Sequence, residues 1–421
     1  MRMNVAATRT LALGFVAAML AGAAIAETAA PEDVGLSSKR LERIGELVDR
    51  HIEAGDIAGA VTLVARDGRI VHLEAHGLMD IESARPMQED ALFRIASMSK
   101  PVGAVAILML VEEGKVRLSD PVSRFIPSYR DMKVAVPVER RGGFGGPPGQ
   151  APRPEFYTVP AERDVTVLDL LTHTSGVMSG QISNAEGQAA SSRRHELGVA
   201  WTELLGQVPL EFQPGSRWAY SALAGFDVLS RIVEVASGQT FDAFLRERVF
   251  GPLGMRDTTF WPTPAQRERL ASSYVARDGQ LVPRPNPDSM SGERYFSAAG
   301  GLMTTAEDYA RFAMMLANDG ELDGVRILSP RSVEMMRSIF VPDTVPGRQP
   351  GEAFGLGVRV IENPAERRTW LSEGSFGWSG AYGTHFWVSP RERLVAILLA
   401  QTSVRALLDD FETAVMQAVA D

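Results

Sequence analysis

The chain has 421 residues, 45% hydrophobic and 23% charged, a composition with a large core and, at about 150 residues each, length for two or three domains. Its formal net charge of -9 opposes nucleic acid or an anionic membrane surface as the main partner, since both select a basic face. Cysteine is absent, which excludes disulfides, thiolate metal sites and cysteine nucleophiles together.

The amino terminus reads as a secretory leader. Arg2 and Arg9 give a positive start, Leu11 to Leu20 is an apolar run, and Ala24-Ile25-Ala26 is a small-residue cleavage signature. The apolar stretch from Leu11 to Ala26 is shorter than the roughly 18–20 residues of a membrane span. Residues 1–26 are therefore expected to be removed after Ala26. The expected product is periplasmic or secreted, with no stable membrane anchor.

A helix follows, with Ser37 and Ser38 as cap candidates and Leu41, Ile44, Leu47, Val48 and Ile52 at helical spacing before Gly55. Ala60–Val64 and Ile70–Glu74 read as strands around Asp67-Gly68, a strong hairpin signal. His72 and His76 sit four apart on that strand pattern, and His195-Glu196 has no second histidine nearby, so no metal site is expected.

Ser97-Met98-Ser99-Lys100 comes next, directly before Val102–Val111, which is apolar on every face and so predicts a buried helix. Three residues apart on a helix share a face, so the Lys100 amine reaches the Ser97 hydroxyl; on a strand the two would diverge. A serine at a helix start also meets free backbone N–H groups and the positive end of the dipole, both useful to an oxyanion. Burial beside that dipole favours a lysine able to accept a proton.

The middle of the chain alternates helices with long connections. Residues 133–165 enclose the Pro/Gly-rich run Arg141–Gly149 and read as a mobile surface loop, and the polar stretch Gly180–Arg194 reads similarly. Ala222–Ala236 predicts an amphipathic helix ending at Ser237-Gly238. A second serine appears in Gly377-Trp378-Ser379-Gly380-Ala381, close to a nucleophile elbow. An elbow opens a helix, whereas here a strand follows, and no acid separates Ser379 from His385, the one later histidine. Thr384–Ser389 and Arg393–Leu399 read as strands around Pro390, and a closing helix spans about Val404–Val419. Helix and hairpin at one end, hairpin and helix at the other, predict termini that meet in one helix-covered sheet.

Phe93-Arg94-Ile95-Ala96-Ser97-Met98-Ser99-Lys100 resembles the nucleophile motif of the serine β-lactamase and penicillin-binding-protein superfamily. Leu118–Val122, Leu170–Gly176, Pro214–Ser221 and Gly300–Thr305 agree with it in the expected order, over roughly Leu36 to Phe411. Within the superfamily the chain is most similar to class C β-lactamases and the family VIII carboxylesterases related to them. The resemblance implies an α+β fold, in which one domain over 27–421 joins an antiparallel sheet with helices (about 36–95 and 290–421) to an all-helical region (about 96–289). It implies Ser97 as the acylated nucleophile, Lys100 as its proton acceptor and Tyr220, at the start of the Ala222–Ala236 helix, as the proton shuttle. The backbone N–H groups of Ser97 and Ala381 would form the oxyanion hole, with Trp378, Ser379 and Gly380 in the strand motif that binds substrate. His173 reads as a hydrogen-bonded structural histidine. No cofactor is implied.

Two departures bear on the substrate. Ala222 stands where the lactamases carry an asparagine amide, and Trp378 stands where they carry a lysine. No lysine follows Lys133, so no realignment supplies one. The acylation apparatus is kept and the anion clamp is lost, which predicts a hydrolase of short- to medium-chain carboxylic esters. A β-lactamase or D-amino-acid peptidase, an acyltransferase and a penicillin sensor without turnover remain the alternatives.

Overall fold

The computed structural model describes residues 28–138, 154–284 and 294–420. The expected leader and cleavage point and the Arg141–Gly149 run lie outside the described residues. The first helix, α1 (Ser38–Glu53), buries the predicted stripe of Leu41, Ile44, Leu47 and Val48. Strands β1 (Gly59–Arg66) and β2 (Arg69–Asp80) are joined at Asp67 (φ 54°) and Gly68 (φ 74°), the two left-handed positions of a two-residue hairpin turn. A short β3 (Arg85–Pro86) completes the amino-terminal contribution. Helix α2 (Ser99–Glu112) is buried from Ser99 to Leu110, as its uniform apolarity requires. Helix α3 (Ala224–Ser237) ends at Gly238, whose φ of 75° closes it in the left-handed conformation. Helix α4 spans Ala306–Ala317.

The remaining strands are β4 (Glu352–Phe354), β5 (Arg359–Ile361), β6 (Phe376–Gly380), β7 (Thr384–Ser389) and β8 (Leu394–Ala400), followed by α5 (Arg405–Gln417). They form one eight-stranded antiparallel sheet in the order β4-β5-β6-β7-β8-β1-β2-β3. The termini do meet in it, with Ala60 of β1 opposite Ala400 of β8.

Strand β8 is apolar throughout because both of its faces are covered. Leu394, Ala396 and Leu398 pack with Leu41, Ile44 and Phe411 beneath α1 and α5. Val395, Ile397 and Leu399 join the larger core containing Phe312 of α4 and most of α2. The carboxyl edge of this second face is where the site forms.

The region between α2 and α4 is mostly helical, but it carries two small hairpins that the sequence reading did not anticipate. Lys133–Pro137 pairs with Phe156–Pro160, so both ends of the expected 133–165 loop are strands. Tyr274–Arg277 pairs with Gln280–Pro283. The expected loop at Gly180–Arg194 is likewise corrected, because Gln181–Ser192 is a helix. Its first turn is closed from outside by the Glu211 carboxylate, which accepts the backbone N–H groups of Ile182 and Ser183. Among the described residues no helix is long and apolar enough to cross a membrane.

Candidate active site

Ser97 lies in a single 3-10 turn, Ala96–Met98, that runs into α2. Ala96 has a φ of 42°, a left-handed conformation that costs a non-glycine residue on the order of 1–3 kcal/mol. The surroundings fix it. The Ile95 N–H bonds to the Leu302 carbonyl at 3.1 Å, and the Ile95 carbonyl accepts Thr384 Oγ1 at 3.2 Å. Gly380 of β6 presses against that same carbonyl, where a Cβ would stand only 2.2 Å away. Only glycine permits this approach, which brings the end of β6 beside the Ser97 turn.

Lys100 is 1% exposed and reaches back one turn to Ser97 Oγ at 3.2 Å. Its Nζ also donates to the carbonyls of Ala222 and Ala299, both at 2.8 Å. Three acceptors complement the three N–H donors of an ammonium. Tyr220 Oη is 2.7 Å from Ser97 Oγ, and Lys100 Nζ sits 4.9 Å from the centre of the Tyr220 ring. Burial acts to raise the Tyr220 phenol. The Lys100 charge and the hydrogen bonds from Lys100 and Ser97 outweigh burial, and the phenol falls below its ordinary value of 10.0. Ser97 Oγ is thus flanked by Lys100 Nζ and by Tyr220 Oη, whose proton is held less tightly than in a free phenol.

Tyr220 lies in the connection before α3 rather than on the helix, and His173 holds it there. The His173 carbonyl accepts the Ala219 N–H at 3.0 Å, and its Nδ1 accepts the Ser221 N–H at 3.2 Å. Its ring packs 4.7 Å from that of Tyr220 and 5.1 Å from that of Phe354. Burial, with the nearby Lys100 charge, holds the His173 imidazolium well below its usual range, so the ring is neutral.

A buried carboxylate missing from the sequence reading stands behind Lys100. Asp227, fully buried on α3, accepts Tyr295 Oη, Ser297 Oγ and the Ala299 N–H. Ala299 in turn offers its carbonyl to Lys100. The acid therefore shapes the loop that cradles the lysine. Burial raises its carboxyl above the ordinary range against the pull of these donors. The signal was an aspartate on the apolar face of α3, between Phe226 and Val228.

Trp378 on β6 stacks at a tilt against Tyr220, 5.5 Å between centroids, and stands perpendicular to Phe354 at 5.2 Å. Ser379 points to the opposite face of the sheet, as strand alternation requires. Its Oγ bonds to Nδ1 of His385 at 2.8 Å, and His385 Nε2 bonds to Glu412 of α5 at 3.1 Å. The structure therefore brings Ser97, Lys100, Tyr220 and Trp378 together and turns the Ser379 hydroxyl away from them. Gly380 and Ala381 follow at the end of β6, beside the Ser97 turn.

The His385–Glu412 pair belongs to the packing of α5 on the sheet. Burial acts to raise the Glu412 carboxyl, but His385, Arg359 and Thr369 outweigh it and hold the group down at about 2, from 4.5. A carboxyl depressed on folding stabilises the fold above its unfolded value, and that contribution is lost as pH falls towards the folded value. Glu412→Gln is expected to melt well below the parent protein at pH 7. The gap should narrow as pH drops below about 4. A melting gap that is constant between neutral and acid pH would contradict this role.

Residues 44–420 match the Beta-lactamase family. The chain is 36% identical over 366 residues to Protein Rv1367c of Mycobacterium tuberculosis, covering 83% of this chain and 87% of that one. It is 31% identical over 408 residues to Esterase EstB of Burkholderia gladioli, covering 90% and 94%. Among solved structures, EstCE1, a hydrolase with promiscuous acyltransferase activity, superposes with a TM-score of 0.73 at 24% identity, over 91% of this chain and 99% of that one. With residues 44–420 matching its model and a serine, a lysine and a tyrosine in hydrogen-bonded contact, the chain belongs to the Beta-lactamase family and is a serine hydrolase of the β-lactamase and penicillin-binding-protein superfamily.

Proposed function

We propose that the protein is an exported carboxylesterase that cleaves neutral esters of short to medium chain through an acyl-enzyme on Ser97. Because all three Lys100 N–H donors are engaged, to Ser97 Oγ and two carbonyls, the expected role of Lys100 as proton acceptor passes to Tyr220, which takes the Ser97 proton as the oxygen attacks the ester carbonyl. The backbone N–H groups of Ser97 and Ala381 hold the developing oxyanion. Tyr220 then returns its proton to the departing alcohol, and water repeats the sequence to release the acid. Residues 1–26 direct the chain out of the cytoplasm to the periplasm or beyond.

The observation that carries the substrate class is Trp378, an indole against Tyr220. The arginine in the cleft beside it, Arg348, is bound to Glu362 at 2.9 Å and to the Val341 carbonyl at 3.0 Å. A carboxylate carried by a penicillin or cephalosporin thus meets an aromatic wall and an arginine already neutralised. A charge-assisted hydrogen bond is worth about 1.5–3 kcal/mol, or roughly ten- to a hundredfold and more in rate where it acts in the transition state. Neutral esters lose nothing by its absence. The similarity to Esterase EstB supports this reading.

The specificity constant for p-nitrophenyl butyrate is therefore expected to exceed those for nitrocefin and a penicillin by about two orders of magnitude. Lactams favoured by about tenfold or more would reverse the assignment.

A further inference from the structure

Helix α3 carries an acid on the face that is otherwise apolar. Asp227 stands between Phe226 and Val228 in its first turn and is fully buried. Its Oδ1 accepts Ser297 Oγ at 2.7 Å and the Ala299 N–H at 3.1 Å, and its Oδ2 accepts Tyr295 Oη at 2.5 Å. Three donors converge on two oxygens, the complement of an ionised carboxylate. The start of a 14-residue helix favours a negative charge as well. Burial opposes that charge, which therefore needs an opposite one within reach.

The opposite charge is Lys100, whose pull acts on the Asp227 carboxyl. Lys100 Nζ donates to the carbonyls of Ala222 and Ala299, and both are tied to this acid. The Ala299 N–H is bonded to the carboxylate itself. Ala222 adjoins Leu223, whose carbonyl accepts the Asp227 N–H at 3.2 Å. The stretch 297–302 then reaches the Ser97 turn with its other end. Leu302 donates its N–H to Ser99 Oγ at 3.1 Å and accepts the Ile95 N–H at 3.1 Å. Beyond Tyr295 stand Arg194, 5.8 Å over its ring, and His195, 5.2 Å from it. On the Tyr220 side His173 faces Tyr220 and Phe226 as a neutral ring.

We propose that Asp227 is the counter-charge of Lys100, a positioning residue that fixes the lysine against the Ser97 turn and sets how strong a base Tyr220 is. While Tyr220 keeps its proton, the Lys100 and Asp227 charges cancel. Once the phenol loses it, the three groups carry one negative charge among them. Asp227 therefore tightens the hold of Tyr220 on its proton, against the opposite pull of Lys100. A phenolate of higher proton affinity takes the Ser97 proton more readily. This rests on Tyr220 as the base and adds what tunes it.

Asp227→Asn removes the charge and keeps the shape. Its amide oxygen accepts Ser297 and Ala299, and its NH2 donates to Tyr295 Oη, which turns acceptor. With p-nitrophenyl butyrate, the midpoint of its kcat–pH profile should fall by about one unit and its limiting kcat by about tenfold, with KM within about twofold of the parent. The sign separates charge from scaffolding. Loss of a negative charge favours the phenolate and moves the midpoint down. A lysine merely set loose would move it up, because the Lys100 charge is what lowers the phenol. A midpoint unmoved or raised would overturn the counter-charge. Melting curves test the pairing without turnover. Lys100→Met leaves a buried carboxylate without its partner, and Asp227→Asn leaves a buried ammonium without its own, so each should lower the melting temperature. The double variant should lose about half of the two losses together, or less. Additive losses would overturn the pairing while leaving Tyr220 as base. A parent profile flat with pH would bring down Tyr220 as base, and the tuning role of Asp227 with it.

Discussion

Ser97→Ala should lower the specificity constant for p-nitrophenyl butyrate by about 10⁴-fold or more, while Ser379→Ala stays within about tenfold of the parent. The two serines are both in motifs and both touch a basic side chain, so the contrast separates location from appearance. Ser97 Oγ has Tyr220 at 2.7 Å and Lys100 at 3.2 Å, on a turn that abuts β6. Ser379 Oγ has a histidine at 2.8 Å and, through it, a glutamate, the outline of a triad. That outline faces α5, on the side of the sheet away from Trp378. Its loss removes one buried hydrogen bond, worth about 1 kcal/mol. An organophosphonate followed by intact-mass and peptide analysis is expected to mark Ser97, and a label on Ser379 would displace the assignment.

Lys100→Ala is expected to cost about three orders of magnitude and to move the pH profile as well. In the parent, the rate should rise with pH through a midpoint below 10, because the proposed base is a phenol whose proton leaves more readily beside the Lys100 charge. Removing that charge leaves burial as the dominant influence on Tyr220, so the midpoint of the variant should shift upward. Lys100→Arg should not restore activity. A planar guanidinium does not match the compact cage of Ser97 Oγ and two carbonyls. A profile flat from about pH 5 to pH 10 with chemistry rate-limiting would refute the role of Tyr220 as base.

Much of the frame was legible because its signals are local. The stripe of α1, the Asp67-Gly68 turn and the uniformly apolar α2 each follow from a few neighbouring residues, as does the one-turn reach from Lys100 to Ser97. What escaped depends on distant partners. Gln181–Ser192 is built of small and polar residues with little apolar period, and its first turn is capped by Glu211 from outside. The Lys133–Pro137 strand has its partner on the far side of a glycine-rich run, and prolines at Pro137 and Pro160 disguise both strands. The carbonyls that cradle Lys100 belong to Ala222 and Ala299, whose side chains say nothing of the role. Asp227 and the His385–Glu412 pair are legible only as polar residues in apolar surroundings, which announces a partner without naming it.

The pairing of β1 with β8 also dictates when the molecule can assemble. During synthesis β1 and β2 emerge together and can form their hairpin, but the other edge of β1 waits for a strand made much later in the chain. Until Leu394–Ala400 arrives, Ala60–Val64 presents an apolar edge rich in β-forming residues, the kind of surface that recruits another chain. Closure therefore waits on a contact between segments far apart in the chain, slow in the way that distant contacts are slow. A product ending short of β8 would carry an open sheet edge for its lifetime.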